Sequence, residues 1–262
     1  MKKIIFLVSC LFISVFSFAQ TKTHNFEIGY EISNYKYTEP GTMNLKSPNK
    51  QGINVIYTHT AADTGYLWGI DFHYLQGDVD YDGATWGGTP LTLENLRDYY
   101  FDAQIQTGRH YVLGEHSSLA AYTGLGFRKL RNHLEEGGPS GYLRQSTYLY
   151  LPLGVRWTYS IPNAWSFRLA GEFDCLIRGT QISDFDGDEV ENEQTSGFGV
   201  RLGFKVERKL GVMGLFVEPF FRYWDIAQSD TVRVFIPGEG YTGLIEPRNR
   251  TREYGIRAGI SF

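Results

Sequence analysis

The chain has 262 residues, among them 30 Gly, 18 Tyr and 18 Phe, and its mean hydropathy of −0.28 is what alternating apolar and polar positions average to. Its 25 basic and 29 acidic residues give a formal charge of −4, or −6 once the two lysines of an amino-terminal leader are set aside, which argues against a nucleic-acid partner. After that leader no apolar run approaches the roughly 18 residues of a transmembrane helix, so any membrane crossing falls to strands.

The leader consists of Lys2 and Lys3, an apolar run over residues 4–19, and the small residues Ser17 and Ala19 ahead of a cut before Gln20. Residues 1–19 therefore read as a secretory signal peptide, and residues 20–262 as one domain. Cys10 sits too early in the apolar run for a lipoprotein box. Removing the leader leaves Cys175 as the only cysteine, so no intrachain disulfide can form.

Period-two alternation, the mark of a half-buried strand, starts at residues 24–37, where Phe26, Ile28, Tyr30 and Ile32 oppose Glu27, Gly29, Glu31 and Ser33. Glu39-Pro40-Gly41 breaks it, and the polar stretch to Gln51 reads as a loop. Strands follow at 52–59 and 66–76, the second carrying Tyr66, Trp68, Ile70, Phe72 and Tyr74 opposite Gly69, Asp71 and His73. A long loop is expected over 77–96. The fourth strand sets Tyr99, Phe101, Ala103 and Ile105 against Asp98, Tyr100, Asp102, Gln104 and Gln106, and the fifth spans 119–128. In the sixth, Leu149, Leu151, Leu153, Val155, Trp157 and Tyr159 alternate with polar residues and with Pro152, which suggests a bulge. The seventh opposes Trp165, Phe167, Leu169, Phe173, Cys175 and Ile177 to Arg168, Glu172, Asp174 and Arg178, and ends at an acidic loop, 183–193. The eighth and ninth oppose Phe198 to Val206 and Leu215 to Tyr223 to charged residues, although Phe216, Phe220 and Trp224 make the inner side of the ninth unusually apolar. A loop over 227–248 leads to the last strand.

This sums to about ten strands whose connections alternate long and short. Both termini on one side, short turns there and long loops opposite are the arrangement of a closed, up-and-down, antiparallel transmembrane β-barrel, an all-β fold. Tyr66, Trp68, Tyr159, Trp165, Tyr223 and Trp224 would form its aromatic girdles. The final strand points Tyr254, Ile256, Ala258, Ile260 and Phe262 to one side and Arg257 to the other. That row resembles the carboxy-terminal assembly signal of bacterial outer-membrane β-barrels, which implies recognition by the outer-membrane assembly machinery. Closing such a barrel makes Arg257 a neighbour of Glu27 or Glu31.

The segments 35–43, 78–83, 89–92 and 142–154 resemble a group of Gram-negative outer-membrane β-barrel proteins. The resemblance extends over most of the mature chain and implies a multi-pass barrel in the cell outer membrane, without carrying over any activity. The strand number is similar to that of omptin surface proteases. Asp78-Val79-Asp80 stands where one half of an omptin-like acid site would lie, but no Asp-His pair is found to give a water its general base.

On these faces the lumen holds Glu27, Glu31, Asp71, Asp98, Asp102, Glu172, Asp174, Glu207, Glu218 and Glu253 with Arg156, Arg168, Arg178, Arg201, Lys205, Arg222 and Arg257. Ten strands enclose a space that side chains can fill, so the expected reading is a charge-paired, occluded lumen with loops for surface interaction. A narrow channel for small solutes is the alternative, and a hydrolase with acids at the mouth a third. Asp184, Asp186, Asp188 and Glu191 around Gly187 are similar in part to a calcium loop, though the glycine comes early for an EF-hand. No other cofactor is implied. Arg248, Arg250 and Arg252 could hold lipopolysaccharide phosphates at the outer leaflet. His24, His59, His110 and His116 fall near short turns and read as solvated.

Overall fold

A computed structural model describes residues 22–262 apart from 86, 87, 139, 140, 186 and 237–239, so the signal peptide and Asp186 lie outside the described residues. Its strands in chain order are β1 Lys22–Glu39, β2 Met43–Ala61, β3 Tyr66–Ala84, β4 Pro90–Val112, β5 Ser117–His133, β6 Leu143–Ile161, β7 Trp165–Phe185, β8 Asp188–Gln194, β9 Gly197–Leu210, β10 Met213–Ile226, β11 Val232–Ile236, β12 Gly240–Leu244 and β13 Asn249–Ser261. Antiparallel pairing runs from β1 through β7, on to β9, β10 and β13, and back to β1. Ten strands thus close a ring. β8 extends the pairing of β7 beyond it, and β11 and β12 form a separate hairpin.

The ring closes in the register that Arg257 requires. Glu31 stands opposite Arg257, and at the rim the Phe26 N–H donates to the Phe262 carbonyl (3.1 Å) while the Phe262 N–H donates to that of Phe26 (2.8 Å). No sheet edge is left in the ring, which is what a strand-built membrane span needs. Outward, Ile32, Ile70, Ile105, Leu125, Leu153, Leu169, Leu202, Leu215 and Ile256 form an exposed apolar band, and Tyr66, Trp68, Tyr159 and Trp165 stand exposed along its lower rim. A contiguous apolar surface of this extent needs a nonaqueous partner.

The strands are much longer than the band. β3 has 19 residues and β4 has 23, whereas about 9–11 tilted residues cross a bilayer. Segments expected as long external loops are therefore largely strand: residues 43–51 belong to β2, 77–84 to β3, 90–96 to β4, and 188–193 to β8. The alternation persists there but its sign inverts. Leu75, Val79 and Tyr81 are buried in the lumen while Gln76, Asp78, Asp80 and Asp82 are exposed. Above the lipid, water contacts the outer face, so polar residues move outward and apolar ones move in.

Three bulges adjust facing. On β2 the register slips between Ser47 and Lys50, so that inward Leu45 and Ser47 are followed by inward Lys50. Asn95, with φ +58°, is the extra residue where β4 passes Tyr81 to Val79. On β7 the register slips between Leu149 opposite Arg178 and Tyr150 opposite Leu176, making Ile177 the extra residue. Hence Arg178, expected in the lumen, lies on the outer face and pairs with Glu193 at 3.2 Å, both side chains being half exposed or more. Pro152 is not the bulge. It sits in continuous register opposite Asp174. Trp224, expected in the girdle, is 1% exposed and lies inside the barrel, because its parity on β10 is that of Phe216, Phe220 and Arg222. His59 is buried rather than solvated, its ring 4.8 Å from that of His24.

Candidate functional site: the lumen and the cup above it

From the end that carries Phe262 upward, the lumen begins with Lys205, which donates to Glu27 (2.6 Å) and Glu207 (2.8 Å), while Arg168 adds a second cation to Glu27 (2.9 Å) and Ser261 donates to Glu207 (2.8 Å). The next layer is built around Glu31. It accepts from Arg222 (3.0 Å) and His73 (2.7 Å) and lies 3.4 Å from Arg257, whose other nitrogen holds Glu218 at 2.6 Å. Above it Arg201 bonds Asp102 (2.9 Å), Asp174 (2.8 Å) and Glu172 (3.1 Å), and Tyr150 joins Asp102 (2.5 Å). Glu253 accepts from Tyr100 (2.6 Å) and Ser33 (2.7 Å) and is 3.5 Å from Arg222. Buried carboxylates and guanidiniums need partners on this scale, because removing a charge from water costs several kcal/mol unless it is compensated.

Every lumen charge proposed from the sequence other than Arg178 is thus inside, including Asp71 and Arg156, which line the same small space beside His73 and Tyr122. Sequence parity misses three central cations: Lys50, which pairs with Asp98; Arg128, 3.4 Å from Asp102; and Arg144. Lys50 and Arg144 fall in stretches that read as loops. Arg128 carries a usable signal, the same parity as Gly124 and Gly126. An Asp-His pair is also present, contrary to the sequence reading: Asp71 and His73 both face inward, at 2.8 Å. It stands within the charged layers and not at the mouth. Its imidazole bridges Asp71 and Glu31, leaving neither ring nitrogen free to act as a base. Asp78 and Asp80 point outward, and Asp80 accepts the Asn95 N–H at 3.2 Å.

Over the charged layers lies an aromatic stratum. Tyr35, Tyr100, Tyr148, Tyr150 and Trp224 are at most 2% exposed, with Tyr148 stacked on Trp224 at 5.9 Å and Tyr150 edge-on to it at 5.1 Å. Arg128 stacks on Tyr100 at 4.1 Å. Two glycines make room for it. A methyl group on Gly126 would fall within the Tyr150 ring, and one on Gly154 within that of Tyr122. Leu45, Leu75, Val79, Leu96, Leu130, Leu134 and Ile226 complete this filling.

Above the stratum opens a cup of about 340 Å³, walled by residues that include Met43, Leu91, Leu134 and Phe185 and floored by Glu39 and Glu246. Arg144, beneath, donates from one nitrogen to both carboxylates, to Glu246 at 2.6 Å. The Tyr37 hydroxyl lies 2.8 Å from Glu39 and 3.3 Å from Glu246.

The acidic segment proposed for calcium is a tight hairpin, with Asp184 opposite Glu189 and the Gly187 N–H donating to Asp184 at 2.8 Å. Asp188 and Glu191 are exposed on its second strand. Among the described residues no three His, Cys, Asp or Glu gather to hold a metal ion. Arg248 and Arg250 both bind Asp225, at 2.6 and 3.2 Å. Arg252 faces outward in register with Lys36, which in turn faces Lys46.

No protein-family model and no curated protein sequence matches the chain. Solved structures do. The outer-membrane protease OmpT of Escherichia coli superposes with a TM-score of 0.65 at 12% identity, over 95% of this chain and 99% of that one. A major outer membrane protein of Thermus thermophilus matches with a TM-score of 0.42 at 13% identity, over 92% and 99%. The toluene transporter TodX of Pseudomonas putida matches with a TM-score of 0.33 at 10% identity, over 91% and 89%. At these identities the likeness to OmpT speaks to architecture alone. Together with the closed ring and its apolar band, it makes this chain a ten-stranded barrel of the outer-membrane β-barrel fold.

Proposed function

We propose that the protein is an occluded barrel of the Gram-negative outer membrane, exported by its leader, that conducts no solute and acts from its external face. The observation that carries this reading is the filled lumen: three layers of paired charges beneath a stratum of five buried rings. Water in such a section would have to displace ion pairs or aromatic contacts. The outward row Tyr254, Ile256 and Phe262, each at least half exposed, suits delivery by the assembly machinery. On the outer face Lys46 lies 4.0 Å from Asp82, while its neighbours Lys36 and Arg252 stand side by side on paired strands, a like-charge pair that costs free energy unless an anion bridges it. Lipopolysaccharide phosphates at the outer leaflet supply that anion. Liposomes carrying the refolded protein test occlusion. They should swell in isotonic pentose no faster than empty liposomes, and protein-dependent swelling would refute it.

A further inference from the structure

The external cup is a built cavity. Its volume of about 340 Å³ falls in the range of small-molecule sites, and a 150 Å³ apolar cavity already holds benzene, so one or two rings fit here. Its wall is mostly apolar, with Thr42, Thr85, Ser183 and Asn192 among its polar members, and its floor is charged. Glu39 and Glu246 are 3% and 5% exposed and share the single guanidinium of Arg144, which lies below them and does not line the cup. Two carboxylates against one cation leave a surplus negative charge facing a space walled in part by Met43, Leu91, Leu134 and Phe185. A buried charge in that position calls for a counter-charge from above. An anion would meet the carboxylates first and be repelled. A metal ion would lack further ligands, since among the described residues no third acid or histidine joins them.

We propose that the cup binds a small organic cation, an aromatic or branched aliphatic body seated against the walls with one protonated amine on Glu39 and Glu246. This deepens the reading of a barrel that acts from its external face, and rests on it. A proton competes for the same surplus: burial pushes the Glu246 carboxyl up to about 7, with the Glu39 charge beside it also raising it against the pull of Arg144. The groups facing this floor are Tyr37 and Glu39 from β1, Tyr81 from β3, and Tyr142, Arg144 and Tyr148 on and beside β6. A cationic ligand displaces the proton and therefore binds better above pH 7 than below it.

The test is calorimetric titration of the full mature chain in lipid nanodiscs with 1-naphthylmethylamine, 1-naphthalenemethanol and 1-naphthoic acid, empty nanodiscs being subtracted. The amine should saturate one site and bind about tenfold tighter than the alcohol near pH 8. Glu39→Gln and Glu246→Gln, isosteric changes checked for folding by heat-modifiable gel mobility, should abolish the amine's advantage, as should a pH near 5. Leu91→Trp should block the amine and the alcohol alike, and the acid should not bind the parent. Equal binding of amine, alcohol and acid, an amine advantage that survives both Gln changes, or no saturable binding would overturn the proposal. Occlusion is read separately by liposome swelling, so a silent cup in a sealed barrel sinks this inference and leaves the barrel reading intact.

Discussion

Replacing Arg257 with Met keeps most of the stem's volume and deletes one buried charge on the strand that closes the ring. Arg257 is 7% exposed and lies 3.4 Å from Glu31 and 2.6 Å from Glu218. Glu31 keeps Arg222 at 3.0 Å and His73 at 2.7 Å, so its loss is small. Glu218, 6% exposed, has no second cation among the described residues, and the substitution strands it. Breaking a buried pair from one side costs about 3–5 kcal/mol, whereas removing both partners is often close to neutral. Arg257→Met should therefore cost about 3 kcal/mol, and adding Glu218→Gln should recover about 2 of them. Urea unfolding in lipid vesicles, followed by tryptophan fluorescence and heat-modifiable mobility, measures both. A cost below about 1 kcal/mol for the single change, or no recovery in the double, would refute the premise that these charges are dry and mutually compensating.

Three further outcomes follow from the same geometry. Arg178→Ala should change stability by less than about 1 kcal/mol, because its pair with Glu193 is solvated; a loss of several kcal/mol would return Arg178 to the lumen and remove the bulge at Ile177. Gly126→Val should cost about 1–3 kcal/mol and loosen Tyr150, since the added carbons occupy the volume of its ring; an unaffected urea midpoint would show that the stratum is not tightly packed. Glu246, raised from 4.5 to about 7, holds its proton more tightly in the folded protein than in the unfolded chain. Its contribution to stability is full below about pH 4.5 and is lost as pH rises through about 7, up to about 3 kcal/mol in all. Urea midpoints near pH 5 and pH 8 should therefore differ more for the parent than for Glu246→Gln, and equal slopes would contradict the buried floor.

How much of this is legible depends on which solvent each residue meets. Within the lipid band, outward Phe26, Ile28 and Tyr30 against inward Glu27 and Glu31 make a period-two signal of fixed sign, and it traces all ten ring strands. The same signal assigns Arg257 to Glu27 or Glu31, and the register selects Glu31. Above the band the sign inverts, so Val79 and Tyr81 inside with Asp78 and Asp80 outside look like a polar loop. That one misreading hides the external half of the barrel, the cations Lys50 and Arg144 within it, and the cup they support. Bulges are a different limit: one extra residue at Ile177 reverses the facing of everything beyond it, and no local feature of the sequence marks it. Trp224 is readable, because Phe216 and Phe220 share its parity, but an aromatic at a strand end suggests a girdle instead.

Occlusion is the central claim, and single-channel recording in planar bilayers tests it most directly, with the parent beside a Tyr150→Ala, Trp224→Ala double variant. Those two rings meet at 5.1 Å across the lumen, and truncating both removes the middle of the aromatic stratum. The parent should insert without discrete conductance, and the variant should show brief openings. Stable conductance steps from the parent would contradict the account, whatever the variant does.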